Sequence, residues 1–164
     1  MNVEPNIEVW ASIKKEFEGC KLTAYQDTAK VWTIGFGATF NHKFRRKVMS
    51  GDTITYQEAI EFMKIDDAET IRLANVYVKK KLTWYQSTAI CDYIYNRGIG
   101  SFLKTSYNGS GLDEPININP NDPVIVDVIL YTGWKDRLGN ILNGLKRRRR
   151  CQAEMYRSGT LNFK

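Results

Sequence analysis

Histidine is nearly missing from this chain. His42 is the only one in 164 residues, so a Ser-His-Asp or Cys-His machine has no recognisable partners here. His42 lies in a basic stretch and is expected to be exposed. Cysteine is scarce as well. Cys20, Cys91 and Cys151 are widely spaced, odd in number and without a CxxC pair. That pattern argues against a disulfide framework and against a zinc site, and it fits a chain made in a reducing compartment. No apolar run approaches the ~20 residues needed to span a bilayer, so stable membrane insertion is not expected. Met1-Asn2-Val3-Glu4-Pro5 has neither a basic nor an apolar region, and no signal peptide is read there.

What is present is a core-forming composition, with 43% hydrophobic and 12% aromatic residues. That supports one domain or two small lobes sharing a core. Lys and Arg outnumber Asp and Glu by 24 to 18, a net charge of +6. The excess favours an anionic partner: nucleic acid, an acidic envelope surface or an acidic polymer. The run Lys146 to Arg150 invites the first of these. On a helix, however, those five side chains point in several directions, and no base-reading motif or aromatic platform accompanies them. A nucleic-acid partner is therefore not expected.

Apolar spacing predicts a first helix over 7–17, stopped by Gly19. Residues 21–38 are rich in β-formers around a turn at Asp27-Thr28-Ala29-Lys30, and read as a hairpin with a further short strand within 39–48. Thr55-Tyr56-Gln57-Glu58 fits a capping box before a long helix over 56–75. Thr83 caps another helix ending near Gly98, and a short one runs from Ser101 to Leu103. Glycines and prolines mark 107–123 as a long surface loop. Val124 to Trp134 and Gly144 to Arg157 read as helices. The order gives an α+β fold with its sheet near the N-terminus.

Hydrolysis of a glycosidic bond needs a protonated acid beside the leaving oxygen, and a carboxylate or polarised water on the other side of the sugar. Glu18 ends the first helix. Asp27 follows nine residues later at the hairpin turn, and Thr33 six after that on the returning strand. A hairpin can bring all three to one surface. Period two puts Trp32, Ile34 and Phe36 on one face, with Val31, Thr33, Gly35 and Gly37 on the other. A face stripped by glycine suits the floor of a cleft.

The stretch Glu18-Gly19-Cys20-Lys21-Leu22-Thr23-Ala24-Tyr25-Gln26-Asp27, continuing to Trp32-Thr33-Ile34-Gly35-Phe36-Gly37, resembles the phage-type lysozymes. The resemblance extends over Thr55 to Asp66 and Gln86 to Phe102, including Tyr95-Asn96-Arg97-Gly98. It returns at Gly144-Leu145, Arg148-Arg149 and Tyr156-Arg157-Ser158-Gly159. It implies a single two-lobed domain over 1–164. The N-terminal lobe would cover about 18–65, a long helix would bridge the lobes, and the C-terminal lobe would cover about 76–164 plus the first helix. It further implies Glu18 as general acid, Asp27 as base or electrostatic partner and Thr33 as positioner of the attacking water. Arg148 would approach the glutamate as a supporting charge, while Thr39 and Tyr95 would line the saccharide cleft.

The activity implied is hydrolysis, with inversion, of the β-1,4 bond between N-acetylmuramic acid and N-acetylglucosamine, with no metal or organic cofactor. The partners implied are the peptidoglycan glycan strand and the anionic cell envelope, met by a monomer. The role implied is that of an endolysin, held in the host cytoplasm until release and then acting in the periplasm and cell wall. Two departures stand out. Ala38 replaces a common family histidine. Gln152 stands where a glutamate commonly follows the Arg-Arg pair, which puts one structural ion pair in doubt.

Overall fold

The computed structural model describes every residue except 28, 105–110 and 136–138. It is a mixed α+β structure whose order is α1 (Ile7–Glu18), β1 (Lys21–Gln26), β2 (Trp32–Gly35), β3 (Phe40–Asn41), β4 (Arg46–Lys47), α2 (Tyr56–Tyr77), α3 (Trp84–Arg97), α4 (Ile99–Lys104), α5 (Asp113–Ile118), α6 (Pro123–Tyr131) and α7 (Asn143–Ser158). The chain divides into two compact units. One comprises Met1–Ala11 with Thr70–Lys164, the other Ser12–Glu69.

The smaller unit holds all four strands. β1 and β2 pair antiparallel, with Tyr25 opposite Thr33, Gln26 opposite Trp32, and a register shift between Lys21 and Tyr25. β3 and β4 form a second antiparallel pair. Ile34, Phe36, Val48, Ile54, Ala59 and Phe62 are buried together with Ile13. The helix that starts at Tyr56 has the capping box its sequence predicts. Thr55 Oγ1 accepts from the Glu58 amide at 3.1 Å, and Glu58 Oε2 accepts from the Thr55 amide at 2.8 Å. Two of the helix N–H groups that lack intrahelical partners are exchanged in this way. In the same unit, the fully buried Lys14 pairs with Asp67. Asp52 accepts a two-pronged hydrogen bond from Arg46, at 2.8 and 2.7 Å, and fastens the loop that follows β4.

The larger unit is helical. α7 packs on α3 and α6, around Ile90, Ile94, Phe102, Ile125, Ile129 and Met155. The N-terminal arm is tied in by Asn75, whose Oδ1 accepts from the amides of Asn2 and Val3 at 2.8 and 3.1 Å. A second capping box, Thr83 with Gln86, starts α3.

Two expectations need correction. The stretch 107–123 is not one loop, because α5 lies within it. Pro115 sits in the first turn of α5, where a missing N–H costs nothing, and the fully buried Leu112 and Ile116 anchor the segment. The Asn108-Gly109 signal falls outside the described residues, as does Thr28 of the hairpin turn. α6 ends at Tyr131 rather than at Trp134. Gly133 turns the chain with φ +70°, a left-handed conformation that glycine adopts without steric penalty.

Candidate active site

Glu18 closes α1, and Gly19 follows at φ +63°, so the chain turns sharply and enters β1 at once. The Glu18 carboxylate lies against the turn that follows β2. A Cβ placed on Gly37 would stand 3.4 Å from Glu18 Oε2. Glycine is needed there for its φ of +99°, whereas a Cβ would only touch the carboxylate.

Asp27 sits past the end of β1. Its Oδ1 accepts from the amides of Ala29 and Val31, both at 2.8 Å, which holds the carboxylate in one orientation while Oδ2 has no hydrogen bond among the described residues. Thr33 lies on β2 opposite Tyr25. Its hydroxyl donates to the Val31 carbonyl at 3.1 Å, leaving the oxygen as an acceptor. Tyr25 ties the group together electrostatically. Its phenol is pushed up first by burial and then by the negative charges of Glu18 and Asp27. Both carboxylates are therefore within electrostatic reach of one ring, which also carries Lys21 Nζ 3.9 Å from its centre.

The two glycines of that face differ in their surroundings. Gly37 stands beside the Glu18 carboxylate. Gly35 is cleared for packing instead, since a Cβ there would stand 3.3 Å from both Ala59 Cβ and Ile54 Cδ1. Its small size lets β2 press onto α2.

The remaining expected residues are divided between the units. Thr39 is exposed in the strand-bearing unit. It lines a groove of about 320 Å³ with Val31, Trp32, Phe40, Lys47 and Val48. Tyr95 belongs to the helical unit, half-buried on α3, with its ring edge-on to Trp10 at 6.1 Å and 88°. Arg148 is buried in the same unit and grips Asp92, with Nε to Oδ2 at 2.9 Å and Nη2 to Oδ1 at 2.8 Å.

Sequence reasoning passed over Asp92, although an aspartate inside the apolar run Ala89 to Ile94 must find a cation if the run is buried. Burial pushes the Asp92 carboxyl up, but the Arg148 charge and hydrogen bond, with help from Gln152 and Arg149, hold it below the usual range. Gln152 keeps the geometry that a glutamate would supply to Arg149, accepting from it while donating to Asp92. The cost is charge balance, because two buried guanidiniums now face one carboxylate. Arg149 is brought down to about 10, first by burial and then by Arg148. Its remaining fork nitrogen donates to Asn96, and its plane lies 5.0 Å from the Tyr93 ring centre.

His42 is not exposed as expected. It is half-buried between the rings of Phe40 and Phe62, with Nε2 2.8 Å from Asp66. Among the described residues, no three His, Cys, Asp or Glu side chains group as a metal site would require, and no helix is long and apolar enough to cross a membrane.

The phage lysozyme family model matches residues 15–152. An endolysin of Acyrthosiphon pisum secondary endosymbiont phage 1 is 30% identical over 145 residues, which cover 88% of this chain and 92% of that protein. The endolysin of Salmonella phage P22 is 31% identical over 146 residues, covering 89% and 92%. The endolysin of Bacillus phage PZA is 28% identical, and there the match spans only 52% of the relative. Among solved structures, an endolysin from Escherichia coli O157:H7 phage FAHEc1 aligns with a TM-score of 0.81 at 24% identity over 99% of this chain and 98% of that one. A P22 lysozyme mutant aligns with a TM-score of 0.69 at 28% identity over 94% and 99%. With this fold, and with the family model spanning both units, the chain belongs to the phage lysozyme family, glycoside hydrolases that act on peptidoglycan.

Proposed function

We propose that the chain cleaves the β-1,4 bond between N-acetylmuramic acid and N-acetylglucosamine, with Glu18 as proton donor, Asp27 as the charge partner and Thr33 as the water positioner. The observation that carries this reading is the approach of Glu18 to Gly37 beside a β-strand that bears Thr33. Glu18 protonates the glycosidic oxygen as the bond breaks. Asp27, clamped through Oδ1, offers Oδ2 to the developing positive charge at the anomeric carbon or to the attacking water. The Thr33 oxygen accepts a proton of that water and fixes its orientation. Attack from the face opposite the leaving group gives inversion, which calls for carboxyls roughly 6.5–9.5 Å apart.

Thr39, in its groove beside Trp32, and Tyr95 serve the sugar chain. Arg148 acts through Asp92 by locking α3 to α7. The net charge of +6 favours the anionic envelope. The protein is made and held in the host cytoplasm, is released at lysis, and then works on the wall as a phage endolysin.

The test is loss of turbidity of purified peptidoglycan, with mass analysis of the released muropeptides. The wild type should release fragments with N-acetylmuramic acid reducing ends, while Glu18→Gln and Asp27→Asn should not. A wild type inert across pH and salt would end the enzyme reading. Full activity in Glu18→Gln would end the site assignment.

A further inference from the structure

Between Asp27 and Asp52 the chain has no acidic residue and five cations, Lys30, Lys43, Arg45, Arg46 and Lys47, against a net charge of +6 for the whole. All but Lys30 lie on β4 and the turn that leads into it. The same hairpin exposes apolar side chains. Phe40 on β3 is 40% exposed, Phe44 in the turn 53%, and Met49 just past β4 53%. A single exposed apolar residue is ordinary, but three within ten residues, interspersed with cations, mark a surface that meets a partner.

The hairpin is firmly built. Asn41 is fully buried, its Oδ1 accepting from the Phe44 amide at 3.2 Å and its Nδ2 donating to Asp52 at 3.1 Å. The Val48 amide donates to the Thr39 carbonyl at 3.0 Å. Phe44 is therefore held outward by a fixed turn, with Arg46 Cζ 5.2 Å and Lys43 Nζ 5.6 Å from its ring centre. Phe40 pairs with Lys47 across the two strands, which sets a ring and an ammonium side by side on one face.

The carboxylates nearby are committed, Asp52 to Arg46, Glu58 to Lys43 and Asp66 to His42. Arg45 and Lys47 are both exposed and hold no carboxylate among the described residues. Arg45 takes φ +53°, a left-handed conformation in which glycine or asparagine is easier. The tip of the turn thus keeps a charge against its own backbone preference.

Cations alone would suit any polyanion. The exposed rings and thioether would not, because a soluble polyanion offers nothing apolar to bury them. An anionic bilayer offers both, headgroup phosphates for Arg45 and Lys47 and the acyl boundary beneath them for Phe44 and Met49. We propose that the β3–β4 hairpin, through Phe40, Phe44, Arg45, Lys47 and Met49, docks on the surface of an anionic phospholipid bilayer. The hairpin lies on the bilayer and does not cross it. Glu18, Asp27 and Thr33 take no part, so the docking stands apart from the hydrolase reading.

The test is sedimentation of the full chain with vesicles of phosphatidylcholine alone, or of phosphatidylglycerol and phosphatidylcholine in equal parts. The wild type should bind the mixed vesicles about tenfold more tightly or better, an advantage that shrinks as salt is added. Arg45→Asn should weaken that binding about fivefold, the scale of one cation at a charged surface. Its thermal midpoint should hold or rise, because the left-handed turn is eased. Adding Lys47→Gln should bring the loss to about twentyfold. Phe44→Ser leaves every charge in place and should weaken binding about tenfold through the ring it no longer buries. Lys146→Gln with Arg150→Gln removes the same charge from the exposed face of α7 and should leave most of the binding in place.

Equal binding to the two kinds of vesicle would overturn the requirement for anionic lipid. Full binding by Phe44→Ser would mean that the hairpin takes a polyanion and not a bilayer. A loss in the α7 variant as large as in Arg45→Asn with Lys47→Gln would mean that net charge alone drives binding. Either result overturns the proposal. A wild type that lyses peptidoglycan yet ignores both kinds of vesicle would overturn the docking and leave the hydrolase reading standing.

Discussion

Carboxylates are treated in opposite ways in the two units. In the helical unit Asp92 is wholly buried and saturated, gripped by Arg148 through two hydrogen bonds and by Gln152 through a third. In the strand-bearing unit Asp27 is half-exposed and held by two backbone amides through a single oxygen, and Glu18 rests against a glycine. A carboxylate wrapped in guanidinium is a fastener, because its charge is fixed and its lone pairs are filled. One clamped through a single oxygen is oriented yet retains an unused face. The contrast separates side chains that hold the fold from side chains placed for chemistry.

The sharpest way to break this contrast is to neutralise one carboxylate of each kind. Glu18→Gln should lower kcat by about 10³-fold, the scale of a positioned general acid, with a thermal midpoint that moves far less than that of Asp92→Leu. A midpoint lowered as far as that of Asp92→Leu would return Glu18 to the structural class. Asp92→Leu should do the reverse. It leaves Arg148 buried and uncompensated, a loss of about 3–5 kcal/mol. The thermal midpoint should fall by about 10 °C or more in a chain of this size, and Asp92→Leu with Arg148→Met should recover most of it. Calorimetry of the single and double variants reads this directly.

The two glycines test the same division at smaller scale. Both Gly35→Ala and Gly37→Ala force a left-handed φ, at about 1–2 kcal/mol each. Gly37→Ala strains the turn that Glu18 lies against and sets a methyl in contact with its carboxylate, so turnover should fall beyond the loss of stability. Gly35→Ala meets Ala59 and Ile54, and turnover per folded molecule should hold. Equal specific activities in the two variants would erase the distinction.

The smallest expected effect concerns acid. Asp52 is held far below the usual carboxylate range, first by its hydrogen bonds to Arg46, and Asp92 is held low as well. For a depressed carboxyl, the stabilisation is present above its unfolded value, about 3.9, and is lost as pH falls through the folded value. Stability should therefore decline below pH ~4, and Asp52→Asn should flatten part of that decline in denaturation curves taken from pH 7 downward. Asp66 runs the other way. Burial raises it against the pull of His42, so its contribution is fully present below the unfolded value and lost as pH rises through the folded one. Asp66→Asn should leave neutral-pH stability unchanged or slightly improved.

Local signals carried most of the architecture. The capping residues Thr55 and Thr83 announced their helices because a cap is a contact three residues long. The hairpin was visible because alternation and turn chemistry are local too. The spacing of Glu18, Asp27 and Thr33 was visible for the same reason, with only fifteen residues separating first from last. What stayed hidden depended on distant partners. Asp92 and Arg148 are fifty-six positions apart, and no periodicity links them. His42 looked exposed because its neighbours in sequence are basic, whereas its neighbours in space are Phe62 and Asp66. Gly35 looked like a cleft residue because Ala59 of α2, which packs on it, lies twenty-four positions further along the chain. In α5, the glycine and prolines around it outweighed the burial of Leu112 and Ile116, which only the tertiary structure reveals.

The three cysteines, first noted for their scarcity, set a kinetic property of the chain. Burial pushes the Cys20 thiol up, and burial together with the Asp92 charge pushes Cys151 up to about 12. Disulfide exchange runs through the thiolate, so a raised thiol reacts more slowly than an unperturbed one. Cys91 and Cys151 are also sealed from solvent. In a move from a reducing compartment to an oxidising one, as the proposed route to the wall requires, burial slows the chemistry of these sulfurs, and a thiol reagent added to the folded protein should reach Cys20 well before the other two.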